Sequence, residues 1–193
     1  MEWLKVLEHQ AEWAPLFSSG LCSWNLRGFW THSLEVRDIK KHEVLRLLRQ
    51  YPIVLIQEPH LTAATFPDFD DWCYKNKIYK FARPTLDIEE GVIALSFKPF
   101  IDWRVFYDDV TNGYQILEHK HHNFWLINLH FSSKHTGLRL QQMRQLKVQL
   151  DGLFRARLGL PPLGKIDYSR VAVGFFGDFN WCSRREDRFF PVQ

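Results

Sequence analysis

A chain of 193 residues suits one domain and can bury about 70% of the surface it exposes when unfolded. Hydrophobic residues at 46%, charged residues at 24%, eight Trp and sixteen Phe exclude a disordered chain and favour a well-packed, strand-rich core. The net charge of +3 permits a phosphate-bearing partner without demanding one, and no apolar stretch approaches the roughly 20 residues that span a bilayer.

In chain order, Trp3, Leu4, Leu7, Trp13 and Leu16 predict a short amphipathic helix before Gly20, an N-terminal extension over 1–20 ahead of a domain over 21–193. Leu21 to Leu26 reads as a strand ending in a turn at Gly28. Val44, Leu45, Leu47 and Leu48 among charges predict a helix over Lys40 to Gln50. Ile53 to Ile56 is a continuous apolar run, the pattern of a strand buried on both faces. Strands are expected at Tyr79 to Ala82, Gly91 to Phe97, Trp103 to Tyr107, Tyr114 to Glu118 and Phe124 to Phe131, with a tight turn at Asn112-Gly113. His119, Lys120, His121 and His122 read as a solvated hairpin tip. Leu138 to Arg157 carries helical periodicity, and Val171 to Phe176 is a last apolar strand. The order predicts a mixed α and β domain, two sheets with helices packed outside them.

Cys22, Cys73 and Cys182 are odd in number, far apart and without a CxxC pair, so neither a zinc nor a disulfide framework is expected. The opening Met-Glu-Trp-Leu-Lys lacks a basic start followed by an apolar run, so no secretory signal is expected. Reduced thiols in an intracellular protein, nuclear or cytoplasmic, follow from both readings.

Four segments place polar or acidic residues at the end of an apolar strand: Ser23 to Gly28, Ile56 to His60, Asn128 to Ser133, and Gly177 to Asn180. Strand ends of a packed sheet are rigid, and side chains there can converge with the accuracy catalysis needs. Glu58 ends a buried strand, where a carboxylate is either paired with a cationic side chain or bound to a metal. Asp178 and Asn180 share a face if the extended geometry continues, able to orient a water and hold a phosphate oxygen; the alternative is an Asx-turn that caps backbone groups. His130 either donates to a phosphate oxygen or is a core histidine satisfied by a neighbour, and Asn25 either supports the carboxylate or shapes the turn before Gly28. His60 lies at the rim of such a site or in the following loop.

In order and spacing these segments resemble the motifs of the endonuclease/exonuclease/phosphatase superfamily. That superfamily includes pancreatic-type deoxyribonucleases, abasic-site endonucleases, endonuclease domains of non-LTR retrotransposons, and phosphoinositide and sphingomyelin phosphodiesterases. Trp24-Asn25-Leu26-Arg27-Gly28 is similar to the first motif, and Leu55-Ile56-Gln57-Glu58 to the second, whose Glu binds magnesium. Leu129-His130-Phe131-Ser132-Ser133 resembles the deoxyribonuclease version of the third, in which a His contacts the scissile phosphate. Gly177-Asp178-Phe179-Asn180 resembles the fourth, whose Asp and Asn orient the nucleophile. Gly91 to Ser96 looks like a central strand of the family, and Arg139 with Gln142 like the start of its long helix. Gln57-Glu58-Pro59-His60-Leu61 is most similar to the retrotransposon version of its motif.

The resemblance implies an α+β, four-layer α-β-β-α sandwich of two mainly antiparallel sheets. It implies a phosphodiester hydrolase of DNA-endonuclease type using Mg2+, with Mn2+ as the alternative ion. Glu58 and Asn25 then serve the metal, and Asn25, His130, Asp178 and Asn180 the catalysis, with nucleic acid as partner and no membrane. The chain departs from the family at its end. Residues 181–193 contain no His to supply the terminal Ser-Asp-His motif, and Asp187 stands in Arg184-Arg185-Glu186-Asp187-Arg188, a solvated helix start. The fold is therefore expected to lack its last elements. Either a C-terminal continuation or a reverse transcriptase domain completes the protein, or the chain is a catalytically dead, nucleic-acid-binding relative of the same fold.

Overall fold

A computed structural model describes residues 20–31, 33–85, 91–108, 113–132, 135–178 and 180. The expected helix between Trp3 and Leu16, Asn112 of the expected turn, and residues 181–193 lie outside them. Among the described residues, eight strands form two four-stranded sheets. The first contains β1 (Cys22–Asn25), β2 (Val54–Gln57), β4 (Val92–Ser96) and β3 (Tyr79–Phe81) in that spatial order. The second contains β5 (Trp103–Tyr107), β6 (Tyr114–His119), β7 (Phe124–His130) and β8 (Ala172–Asp178) in sequence order. Each sheet is antiparallel except for one outer pair: β1 runs parallel to β2, and β7 parallel to β8.

Helices cover the outer faces. The first, α1 (Leu34–Gln50), is capped by Ser33, whose side chain accepts from the Val36 amide, and it buries Val44, Leu47 and Leu48. With α2 (Phe66–Lys75), which buries Phe69 and Cys73 one turn apart, it packs on the first sheet. Burial pushes the Cys73 thiol up to about 12, so it stays protonated and inert at neutral pH. The long α3 (Thr136–Leu158) ends at Gly159 in the left-handed conformation and covers the second sheet through Leu146, Leu150 and Phe154. Among the described residues no helix is long and apolar enough to cross a membrane.

Strand alternation sorts the core into three layers. Val54 and Ile56 face α1 and α2, while Leu55 faces the other sheet. Trp125, Ile127 and Leu129 face α3, while Phe124 and Leu126 face inward. The result is an α-β-β-α sandwich. Because β1 and β2 are parallel, as are β7 and β8, and the sheets stack through β1, β2, β7 and β8, four strand C-termini are brought to one edge.

Two departures from the sequence reading have plain causes. Helix α1 starts six residues before Lys40, because its first turns carry Leu34, Val36 and Ile39 on the exposed side and show no inward apolar stripe. His119 belongs to β6 and is buried rather than placed at a solvated tip. Its ring meets Trp103 edge-on at 5.0 Å, while His121 remains exposed.

Candidate active site

The inward faces of the four converging strands are polar at their ends. Trp24 packs toward the helices, so Ser23, which is exposed, and Asn25, which is half-buried, take the opposite face of β1. Gln57 lies inward of β2, and Asn128 and His130 alternate with the outward Ile127 and Leu129. On β8, Asp178 pairs in register with His130.

Beneath this edge a buried amide network joins the sheets. Gln57 Nε2 donates to Asn128 Oδ1 at 2.6 Å and to Ser23 Oγ at 3.1 Å. Asn128 Nδ2 donates to Ile93 O at 2.9 Å, Gln115 Oε1 at 3.2 Å and Ile56 O at 3.3 Å. Gln115 closes the chain by donating to Phe81 O at 3.3 Å. Gln57 adjoins Glu58, and Asn128 is two residues from His130, so the network sets the height of both against each other.

Glu58 reaches the site through an irregular backbone. Continued alternation would turn it toward the helices with Val54 and Ile56. A left-handed φ of 50° breaks the alternation and turns the side chain inward. Arg27 (φ 44°), His60 (φ 55°) and Asn180 (φ 48°) are also left-handed, placing around one site four of the five such non-glycine residues among the described residues. Such strain costs of order 1–3 kcal/mol per residue and clusters where function requires it. Gly177 (φ 125°) brings β8 so close to β7 that a Cβ there would lie 1.9 Å from Leu129 O.

The five residues singled out from the sequence meet here. Asn25 Nδ2 donates to Glu58 Oε1 at 2.7 Å and lies 3.4 Å from Asp178 Oδ2, while Asn25 Oδ1 accepts from the Arg27 amide at 3.0 Å. His130 Nε2 is 3.1 Å from Glu58 Oε1, the geometry of an imidazole N–H donating to a carboxylate. Asn180 Nδ2 donates to Phe131 O at 2.7 Å and lies 3.2 Å from His130 Nε2. The Asn180 amide also donates to Asp178 Oδ1 at 2.8 Å, so Asp178 makes an Asx-turn as well as facing the cluster. His60 Nε2 stands at the rim, 4.0 Å from Glu58 Oε2. Arg139, buried on α3, ties the edge together by donating to Asn180 O at 2.8 Å and Ser132 O at 3.2 Å.

Burial holds the His130 imidazole below its ordinary pKa, with Glu58 and Asp178 pulling it the other way. Lys40 is lowered by burial and raised by Glu58.

The residues present fit a divalent cation. Among the described residues, ligand atoms of Glu58, His130 and Asp178 all lie within 4.8 Å of one another, while Asn25 meets the two carboxylates with its amide N–H group, a donor and not a metal ligand. Carboxylates that converge in a partly buried place repel, and a cation offsets that repulsion. Two carboxylates suit hard ions such as magnesium and manganese.

Sequence reasoning missed Lys40, whose reach to the turn after β1 leaves no trace in helical periodicity. It also passed over the Gln57–Asn128–Gln115 network, although an amide on the inward side of an apolar strand was a visible signal.

The structure is similar to the crystal structure of truncated Caenorhabditis elegans TDP2, with a TM-score of 0.50 and 20% identity over 89% of this chain and 65% of that one. The selenomethionine form of C. elegans TDP2 gives 0.50 and 19% over 95% and 56%. ANGEL2, described as a 2',3'-cyclic phosphatase, gives 0.49 and 10% over 83% and 52%. The chain thus spans less than two thirds of the length of each. No protein-family profile and no curated protein matches the sequence. The likeness to TDP2 gives this chain an α+β sandwich of the endonuclease/exonuclease/phosphatase fold.

Proposed function

We propose that the chain is a divalent-metal-dependent phosphodiester hydrolase domain acting on nucleic acid, with DNA the favoured substrate. The observation that carries the reading is the convergence of Glu58, His130 and Asp178 from three strands and two sheets. Glu58 and Asp178 hold the metal, Mg2+ or Mn2+, and Asn25 orients Glu58 through its amide. When bound, the ion supplies positive charge to the phosphate oxygens. The residues do the rest. His130, whose Nε2–H meets Glu58 Oε1 in the free site, would turn that donor to a non-bridging phosphate oxygen. Asp178 accepts from the attacking water, and Asn180 helps place it in line with the scissile bond. A water oxygen–phosphorus bond forms as the bond from phosphorus to the leaving oxygen breaks; the water proton passes to Asp178, and the leaving oxygen departs as an alkoxide that takes a proton from solvent. The likeness of Gln57-Glu58-Pro59-His60-Leu61 to retrotransposon endonucleases supports DNA as substrate.

The test is nicking of supercoiled plasmid with Mg2+. Nicking by the protein with a terminal Ser-Asp-His segment supplied, and its loss by at least about 100-fold in Glu58→Gln, is expected for a group at the reacting centre. Equal nicking by both proteins sinks the reading. Binding that weakens with salt and shows no turnover in either protein replaces it with a nucleic-acid-binding module.

A further inference from the structure

Lys40 sits on α1, away from the strand ends, and reaches the turn that follows β1. Its ammonium donates to three consecutive main-chain carbonyls: Leu26 O at 2.9 Å, Arg27 O at 3.0 Å and Gly28 O at 2.7 Å. An ammonium carries three donors and no acceptor, and these contacts use all three. Adjacent carbonyl oxygens aimed at one point repel, and the cation at their centre holds them together. The backbone that makes them converge is uncommon, with Arg27 at φ 44° and Gly28 at φ 86°. A non-glycine residue stays there only when its surroundings enforce it.

This turn fixes Asn25. The Arg27 amide donates to Asn25 Oδ1 at 3.0 Å, which orients the side chain so that Nδ2 meets Glu58 Oε1 at 2.7 Å. On its other side the turn is bonded to the segment after β2, with the Gly28 amide on Glu58 O at 2.8 Å and the Trp30 amide on Pro59 O at 2.8 Å. His60 packs against Gly28 so closely that a Cβ there would lie 2.7 Å from His60 Nδ1. The turn therefore holds Glu58 by main chain and by side chain, and Lys40 is the cation at its centre.

We propose that Lys40 is a positioning residue: its ammonium gathers the Leu26–Gly28 carbonyls so that Asn25 keeps Glu58 aimed at the point it shares with His130 and Asp178. This deepens the reading of the cluster as a metal site and rests on it. A neutral side chain of similar length frees the three carbonyls, lets Arg27 leave the left-handed region, and releases the Asn25 amide. Methionine matches lysine in helix propensity, so α1 itself is little disturbed by Lys40→Met.

Two measurements on Lys40→Met test this. Amide hydrogen exchange in metal-free protein reads the turn. The Arg27, Gly28 and Trp30 amides are expected to exchange at least about tenfold faster, the factor that goes with one lost hydrogen bond to a charged donor, while Ile93 and Ile127 keep wild-type protection. Calorimetric titration with Mn2+ reads the site. The Kd is expected to rise by about 10–100-fold, the range for groups that orient metal ligands, and adding Lys40→Met to Asn25→Ala raises it by less than Lys40→Met does alone. Unchanged exchange in the turn, protection lost evenly across the strands, a wild-type Kd, or additive effects of the two substitutions each overturn the proposal. Wild-type protein that takes up no Mn2+ defeats the metal reading, and the exchange result then decides whether Lys40 holds the turn. Should Lys40→Met not fold, Lys40→Gln is read by the same two measurements.

Discussion

Asn128 has both ends of its amide engaged inside the sandwich, facing Gln57 from one sheet and Gln115 from its own. Buried amides with full sets of partners are stable; the same partners left alone are not. Asn128→Leu keeps the volume, takes one of two acceptors from the Gln57 amide, which keeps Ser23 Oγ, and removes the Asn128 donor from Ile93 O and Gln115 Oε1. At about 1–3 kcal/mol per orphaned group, a loss of roughly 3 kcal/mol or more is expected, read from the urea midpoint. A loss under about 1 kcal/mol would mean that the network carries no weight. Strand parity made part of this visible in the sequence, since Asn128 and His130 fall on one face of Phe124 to Phe131. Glu58 was legible as a strand-end carboxylate, but not the left-handed φ that turns it into the site, because that depends on the Gly28, Phe29 and Gly91 contacts of its backbone.

Among the elements, strands with continuous apolar runs were read to within two residues, as β2, β4 and β7 show. Helix α2 was not expected at all. Its ten residues, Phe66 to Lys75, bury only Phe69 and Cys73, too short a stripe to stand out from a loop. Yet α2 supplies the aromatic seat for the turn after β1. Phe69 meets Trp30 edge-on at 5.4 Å and Phe29 at 6.2 Å, and Trp72 meets Phe29 at 5.5 Å. Lys41 and Arg37 lie over the Trp30 ring, at 4.9 and 5.3 Å from its centroid. Phe69→Ala removes a fully buried ring from this seat. A loss of about 3–5 kcal/mol is expected on thermal or urea unfolding, and a loss below about 1 kcal/mol would mean that α2 does not brace the turn.

At the scale of the whole molecule, two buried imidazoles stand at opposite ends of the second sheet. His130 is held below its ordinary pKa by burial, against Glu58 and Asp178. His119 is lowered by burial and by His122, with His121 and Arg157 adding to the effect and Asp102 opposing it. In both, the unfolded chain takes up the proton first. Stability is therefore complete above the ordinary histidine value of about 6.5 and is lost as pH falls below it toward the lowered folded values. A denaturation midpoint that drops between about pH 7 and pH 5 is expected, less steeply in His119→Phe, which keeps a ring against Trp103. A midpoint unchanged over that range would contradict the burial of both rings.

The two carboxylates of the cluster belong to different layers, Glu58 following β2 in one sheet and Asp178 ending β8 in the other. An ion gripped by both is a clasp across the seam of the sandwich, and unfolding must first undo it. Mn2+ at about 100 times its Kd should then raise the unfolding free energy by about 2.7 kcal/mol, and Glu58→Gln should abolish that increment. The edge where chemistry would occur is, by the same geometry, the hem that keeps the two halves of the protein together.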